Sequence, residues 1–186
     1  MPSSSRIYLD NAATSFPKPE MVYTAVDDYQ RRIGAAVGRG TFREAVEAQR
    51  IVDRCRQLAA LTFGAESPDR MIFTFNGTDG LNLALMGLCR PGDHVITTDF
   101  EHNSVLRPLR WLKDHRGVDV TLVRPGLDGR VEPNELRGQL RPTTRLIAVQ
   151  QASNVTGIIQ PIEAICELAR QAKVLTLMDA AQTAGH

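Results

Sequence analysis

The sequence is short of the residues that would carry several common functions. Cysteine occurs three times, at Cys55, Cys89 and Cys166. Their wide spacing contains no CxxC pair, which argues against a disulfide framework and a structural zinc site. A reducing cytoplasm is the simplest setting. No apolar run approaches the ~20 residues that a membrane-spanning helix needs. The opening Met1-Pro2-Ser3-Ser4-Ser5-Arg6 is polar and lacks the apolar stretch of a secretory signal. Without secretion, the glycosylation-type triplets Asn76-Gly77-Thr78 and Asn154-Val155-Thr156 carry no weight. A charge excess is missing too: 22 basic residues face 21 acidic ones, for a net charge of +1. Nothing in that balance points to nucleic acid or a membrane surface as partner.

What is present is a regular alternation. With 186 residues, 42% of them hydrophobic, the chain can form a domain with a substantial core. Ile7–Leu9 reads as a short first strand, and a helix is expected from about Glu20, after Pro17 and Pro19. A long amphipathic helix is expected from Thr41 to about Phe63, with Thr41 and Glu44 spaced as a capping box. Beyond it, strands are expected at Met71–Phe75, Val95–Thr98, Val118–Val123, Leu146–Gln150 and Val174–Met178. Helices at Asp79–Leu88, Ser104–Asp114, Pro133–Leu140 and Ile162–Ala172 separate them, with Pro108 expected near the first turn of its helix. β-Branched apolar runs alternating with helices imply an α/β fold, a mostly parallel sheet with helices on both faces. Ligands of such sheets sit beyond the carboxyl ends of the strands.

Four of those ends carry suggestive residues. Asn76-Gly77-Thr78-Asp79-Gly80 opens a helix whose free N–H groups, with the Thr78 hydroxyl, form an anion site; an ordinary capped turn fits it as well. Asp99-Phe100-Glu101-His102-Asn103-Ser104 offers an imidazole for stacking or proton transfer, or else a polar loop whose Asn103 or Ser104 caps the next helix. Ser153-Asn154-Val155-Thr156-Gly157 offers the Asn154 amide as a donor, or simply loop chemistry. Asp179-Ala180-Ala181-Gln182 places a carboxylate at the end of a buried strand, where it needs a partner, unless it caps a following helix. Together they suit an aromatic ring with a phosphate arm, a phenolate-type oxygen and a basic ring nitrogen. Gly77 and Thr78 would take the phosphate, Asn154 and Gln182 the ring oxygen, His102 the ring face and Asp179 the ring nitrogen.

These segments, in this order and preceded by Leu9-Asp10-Asn11-Ala12-Ala13-Thr14, resemble the class V aminotransferase family and its cysteine desulfurase and selenocysteine lyase branch. The resemblance covers essentially the whole chain. It implies a fold-type-I large domain that binds pyridoxal 5′-phosphate (PLP), a smaller C-terminal domain, and a homodimer with its site near the dimer interface. It also implies removal of sulfur from L-cysteine to give L-alanine and enzyme-bound sulfur, with a possible sulfur-acceptor protein as partner. His102 is the catalytic candidate, and Asn11 and Ala13 match a segment that approaches substrate. Selenocysteine lyase, aminotransferase or epimerase activity on the same cofactor remains the alternative. One local departure is Asn76-Gly77-Thr78-Asp79, where many relatives have Gly-Ala-Thr-Glu; Thr78 still aligns.

The Ser-x-His-Lys type motif that carries the Schiff-base lysine of the family is not in the sequence, nor is the reactive cysteine. Lys18, Lys113 and Lys173 lack the motif context, and Lys173 suits a helix end. The expectation is therefore a truncated large domain: residues 1–20 a segment near the active site, residues 21–186 an incomplete PLP-binding domain, and the fragment itself inactive. A nicotinamide-binding domain is a poor fit. Its one candidate fingerprint, Gly38-Arg39-Gly40, lacks the third glycine and follows no strand.

Overall fold

Strands that are apolar on both faces need helices on both sides, and residues 74–185 supply them. The computed structural model describes residues 7–185, in two units that divide between Phe73 and Thr74. The second unit holds α3 (Gly77–Leu88), β1 (His94–Thr98), α4 (Asn103–Arg116), β2 (Asp119–Val123), α5 (Pro133–Gly138), β3 (Thr144–Gln150), α6 (Ile162–Gln171) and β4 (Leu175–Asp179). The four strands are parallel, in the order β2-β1-β3-β4.

Alternate residues of each central strand face opposite layers. Val95, Leu146 and Ala148 pack with Leu81 and Leu85 of α3 and with Val105, Leu109 and Leu112 of α4. Ile96, Ile147 and Val149 pack on the other side with Leu136 of α5 and with Ile165, Leu168 and Ala169 of α6. The two layers follow from handedness. The β1-to-β2 crossover and the β3-to-β4 crossover run in opposite directions, so right-handed connections place α4 and α6 on opposite faces.

At the amino end of the sheet a polar side chain is buried among these strands. His94 is fully buried. Its Nδ1 lies 2.8 Å from the Thr144 hydroxyl on β3, and its Nε2 lies 2.8 Å from the Thr121 hydroxyl on β2. A neutral imidazole meets both hydroxyls, one nitrogen donating and the other accepting. Burial, followed by the Arg141 guanidinium, holds its pKa below the ordinary value of 6.5.

The first unit is helical. α1 (Glu20–Asp28) runs on as a π-type turn over Tyr29–Ile33 and stops at Gly34, whose φ of 53° is left-handed. α2 (Arg43–Phe63) stops at Gly64, φ 65°, and buries only the small residues Ala45, Ala48 and Ala60. No helix among the described residues is long and apolar enough to cross a membrane.

Several local expectations need correction. Ile7–Leu9 and Met71–Phe75 are not strands. Ile7, Leu9 and Phe75 are 81%, 89% and 97% exposed, and neither segment finds a ladder partner among the described residues. Thr41 does not cap α2; the cap position falls on Phe42, which makes no capping hydrogen bond. α3 starts two residues before Asp79, because the Asn76 side chain accepts from Asp79 N–H at 2.9 Å. Pro108 is the sixth residue of α4, beyond its first turn. The polar opening at residues 1–6, and His186, lie outside the described residues.

Two predictions follow from this packing. Leu85→Ala is expected to cost about 2–5 kcal/mol and Leu83→Ala, at a half-exposed position, less than ~1 kcal/mol, read by chemical denaturation. For His94 the folded pKa is depressed, so the folded protein binds fewer protons than the unfolded chain. Its stability contribution is complete above the unfolded value of 6.5 and is lost as the pH falls below it. The stability advantage of the native chain over His94→Gln should therefore shrink between pH 7.5 and pH 5. An advantage that stays constant would show that His94 does not titrate as described.

Candidate functional site

The reversal in strand order leaves a crevice where the chain leaves β1 toward one face and β3 toward the other. In parallel sheets this switch point is where ligands bind. The candidate residues of the second unit all lie at this end.

His102 is the N-cap of α4, the position expected for Asn103 or Ser104. Its Nδ1 accepts from Ser104 N–H at 3.1 Å and lies 2.7 Å from the Ser104 hydroxyl. In the neutral ring Nδ1 is thus the acceptor, and the proton sits on Nε2. The Ser104 hydroxyl in turn lies 2.8 Å from the Thr78 hydroxyl at the start of α3. One chain of hydrogen bonds therefore links the two helix N-termini. Gly77 N–H and Thr78 N–H belong to the first turn of α3, where no intrahelical acceptor exists. A Cβ built on Gly77 would meet nothing within 4 Å, so the space above this turn is open. A groove of about 570 Å³ runs from Thr78 and His102 past Ser104 and Arg107 to Trp111, within the size range of small-molecule sites.

Asp179 and Gln182 stand at the other side of the crevice. Asp179 ends β4, in register with Gln150 of β3, and its Oδ1 accepts from Ala181 N–H at 3.0 Å. The sequence suggests a buried carboxylate here, but Asp179 is half-buried, because β4 is an edge strand of the described sheet. Its backbone carbonyl accepts from Gln151 N–H at 2.8 Å. The Thr183 hydroxyl donates to Gln151 Oε1 at 2.7 Å, which fixes the turn that carries Gln182. Asn154 is exposed at the tip of the turn after β3, a turn held by Val155 N–H and Thr156 N–H donating to the Ser153 hydroxyl, both at 3.2 Å. Neither Asp179, Asn154 nor Gln182 lines the groove at Thr78 and His102.

Between the two sides sits a residue that pattern reading passed over. Glu101 is buried, accepts from the Thr98 hydroxyl at 2.7 Å and from Gln150 N–H at 2.7 Å, and so joins β1 to β3. Ser104 was likewise invisible as more than a cap. Asn11 and Ala13 belong to the first unit. There Asn11 Oδ1 accepts from Phe16 N–H at 3.1 Å, and Ala13 N–H donates to the Asp10 carbonyl at 3.2 Å.

The donor set fits a phosphorylated heterocycle. It offers a helix start with open space and two hydroxyls, an imidazole with Nε2–H outward, and a carboxylate that no basic side chain pairs among the described residues. Such a set serves an anion at one end and a cationic ring nitrogen at the other.

Comparison with known proteins gives the same direction. The chain is 36% identical over 182 residues to a probable cysteine desulfurase of Methanothermobacter thermautotrophicus, covering 97% of this chain and 44% of that protein. The apo structure of cysteine desulfurase from Thermococcus onnurineus superposes with a TM-score of 0.89 at 32% identity, over 97% of this chain and 45% of that one. The structure of SspA in complex with cysteine superposes with a TM-score of 0.88 at 30% identity, over 96% of this chain and 51% of the other. The chain thus spans about half the length of the proteins it matches. Residues 7–186 match the sequence model of the Aminotransferase class-V family. With the parallel sheet and the residues at its carboxyl end, that match places the chain in the class-V aminotransferase family.

Proposed function

We propose that this chain supplies the cofactor-binding half of a PLP-dependent enzyme that takes sulfur from L-cysteine and leaves L-alanine. The observation that supports it most is the set of Thr78, His102 and Asp179 around one switch point, in a chain whose relatives are named cysteine desulfurases. PLP, when bound, supplies an electron sink that eases loss of a proton from the amino acid. The chain's own residues do the holding. Gly77 N–H, Thr78 N–H and the Thr78 hydroxyl would bind the phosphate arm. Asp179 would keep a proton on the ring nitrogen, and Asn154 and Gln182 would orient the ring oxygen. His102 would cover the ring face, its orientation fixed by the two contacts at Nδ1. On the same reading the protein works in a reducing, cytoplasmic setting as a homodimer that passes sulfur to an acceptor protein.

None of the lysines in the sequence suits the covalent anchor. Lys113 lies in the last turn of α4, and Lys173 follows α6 with a left-handed φ of 55°. Helices of this sheet run antiparallel to its strands, so both lysines sit at the end opposite Asp179. Lys18 Nζ donates to the Ser15 carbonyl at 2.9 Å. We infer that the 186 residues bind the cofactor but do not turn over cysteine alone.

Binding titrations test the assignments. Asp179→Ala should weaken PLP binding about 10–100-fold, the loss expected for a charged hydrogen bond. Thr78→Val should weaken binding of PLP while leaving pyridoxal, which has no phosphate, unchanged. Equal losses for both ligands would remove the phosphate role from Thr78. A borohydride-reducible adduct on Lys18, Lys113 or Lys173 would show that the chain carries its own anchor.

A further inference from the structure

The roles above leave one buried acid unused. Glu101 is 6% exposed and immediately precedes His102 on the loop from β1 to α4. Its Oε1 accepts from the Thr98 hydroxyl at 2.7 Å, at the end of β1, and its Oε2 accepts from Gln150 N–H at 2.7 Å, at the end of β3. The Gln150 side-chain amide donates back to the Phe100 carbonyl at 2.6 Å. These bonds form a two-way clamp across the switch point. Gln150 is also the register partner of Asp179, so the clamp stands one strand away from that carboxylate.

We propose that Glu101 is a positioning residue that locks the His102 loop onto the end of β3 and, one strand from Asp179, senses the charge there. The proposal rests on the reading that His102 and Asp179 serve one site. The titratable groups around Glu101 are Asp179 on β4, His102 beside it, and Asp99 on the same loop, which the Arg124 side chain holds at 3.0 Å. Among the described residues no basic side chain pairs with Glu101; burial first, and last the negative Asp179, push its pKa up to about 7, against the two hydrogen bonds that lower it. The clamp tolerates either protonation state. Ionised, both carboxylate oxygens accept. Protonated, the carboxyl O–H can donate to the Thr98 hydroxyl while the carbonyl oxygen still accepts from Gln150 N–H. Glutamine reproduces the second arrangement, with Nε2 donating to Thr98, and removes only the charge.

The test is a carbon-13 NMR titration of the glutamate carboxyls in the 186-residue chain, with Glu101 assigned by its absence in Glu101→Gln. The Glu101 signal should titrate near pH 7, and Asp179→Asn should lower that midpoint, because a like charge is removed. A signal that titrates in the ordinary carboxylate range near 4.5, or that ignores Asp179→Asn, would overturn the proposal. Hydrogen exchange reads the clamp: Gln150 N–H should stay protected in Glu101→Gln and lose protection in Glu101→Ala. Should Glu101→Ala fail to fold, thermal unfolding of Glu101→Gln answers alone. The folded pKa lies above the unfolded 4.5, so the folded protein binds the extra proton between 4.5 and about 7, and native stability falls as the pH rises through that window. Glu101→Gln lacks this loss, so its unfolding midpoint should gain on the native one from pH 5 to pH 8, and a constant gap would count against the proposal. A chain that shows the coupling but takes up no PLP would sink the cofactor reading and support this one. A chain that binds PLP with an uncoupled Glu101 would do the reverse.

Discussion

The candidate site of residues 74–185 follows from a reversal between β1 and β3. Right-handed crossovers force α4 and α6 to opposite faces once the strand order is β2-β1-β3-β4. The loops after β1 and β3 must then diverge, and the space between them cannot be filled by either helix. Backbone and side-chain polar groups at that end have to find partners in each other or in a ligand. Glu101 meets part of that demand by accepting from both strands, and the Thr78–Ser104–His102 chain meets another part. Among the described residues, the first N–H groups of α3 have no intrahelical acceptor and no basic side chain pairs Asp179.

The central strands could be read from the sequence because their signal is local. Val95-Ile96 and Leu146-Ile147-Ala148-Val149 are apolar on successive residues, and only a strand covered on both faces asks for that. Ile7–Leu9 and Met71–Phe75 carry the same composition without forming strands, since a strand also needs a neighbour, and a neighbour is not a local property. The Thr41–Glu44 spacing misled for a similar reason. A capping box describes a compatible sequence, while the start of α2 at Arg43 is set where the whole helix begins.

The candidate site divides along the same line. The sequence places Thr78, His102 and Asp179 at element ends on the carboxyl side of the sheet. It does not show what Ser104 and Glu101 meet, although they stand in the same loop as His102. Their importance lies in what faces them across 26 and 49 residues of sequence, namely Thr78 and Gln150. The burial of Asp179 was overread, since edge strands of a parallel sheet keep more water contact than central ones.

His102 shows how fold and chemistry share one side chain. As N-cap it answers a backbone N–H that α4 would otherwise leave unmet, and the same bond decides which ring nitrogen keeps the proton. In the neutral ring the proton is thereby left on Nε2. The two acids nearby differ in environment. Glu101, enclosed and with no basic partner among the described residues, holds two strands together while burial raises its pKa to about 7. Asp179, half in water, is left to meet whatever positive charge enters the crevice. A cation arriving at Asp179 would relieve the repulsion felt by Glu101 and favour its ionised form, and by reciprocity a proton on Glu101 would weaken the hold of Asp179 on that cation. Occupancy at one strand end is in this way registered at the loop that aims the imidazole.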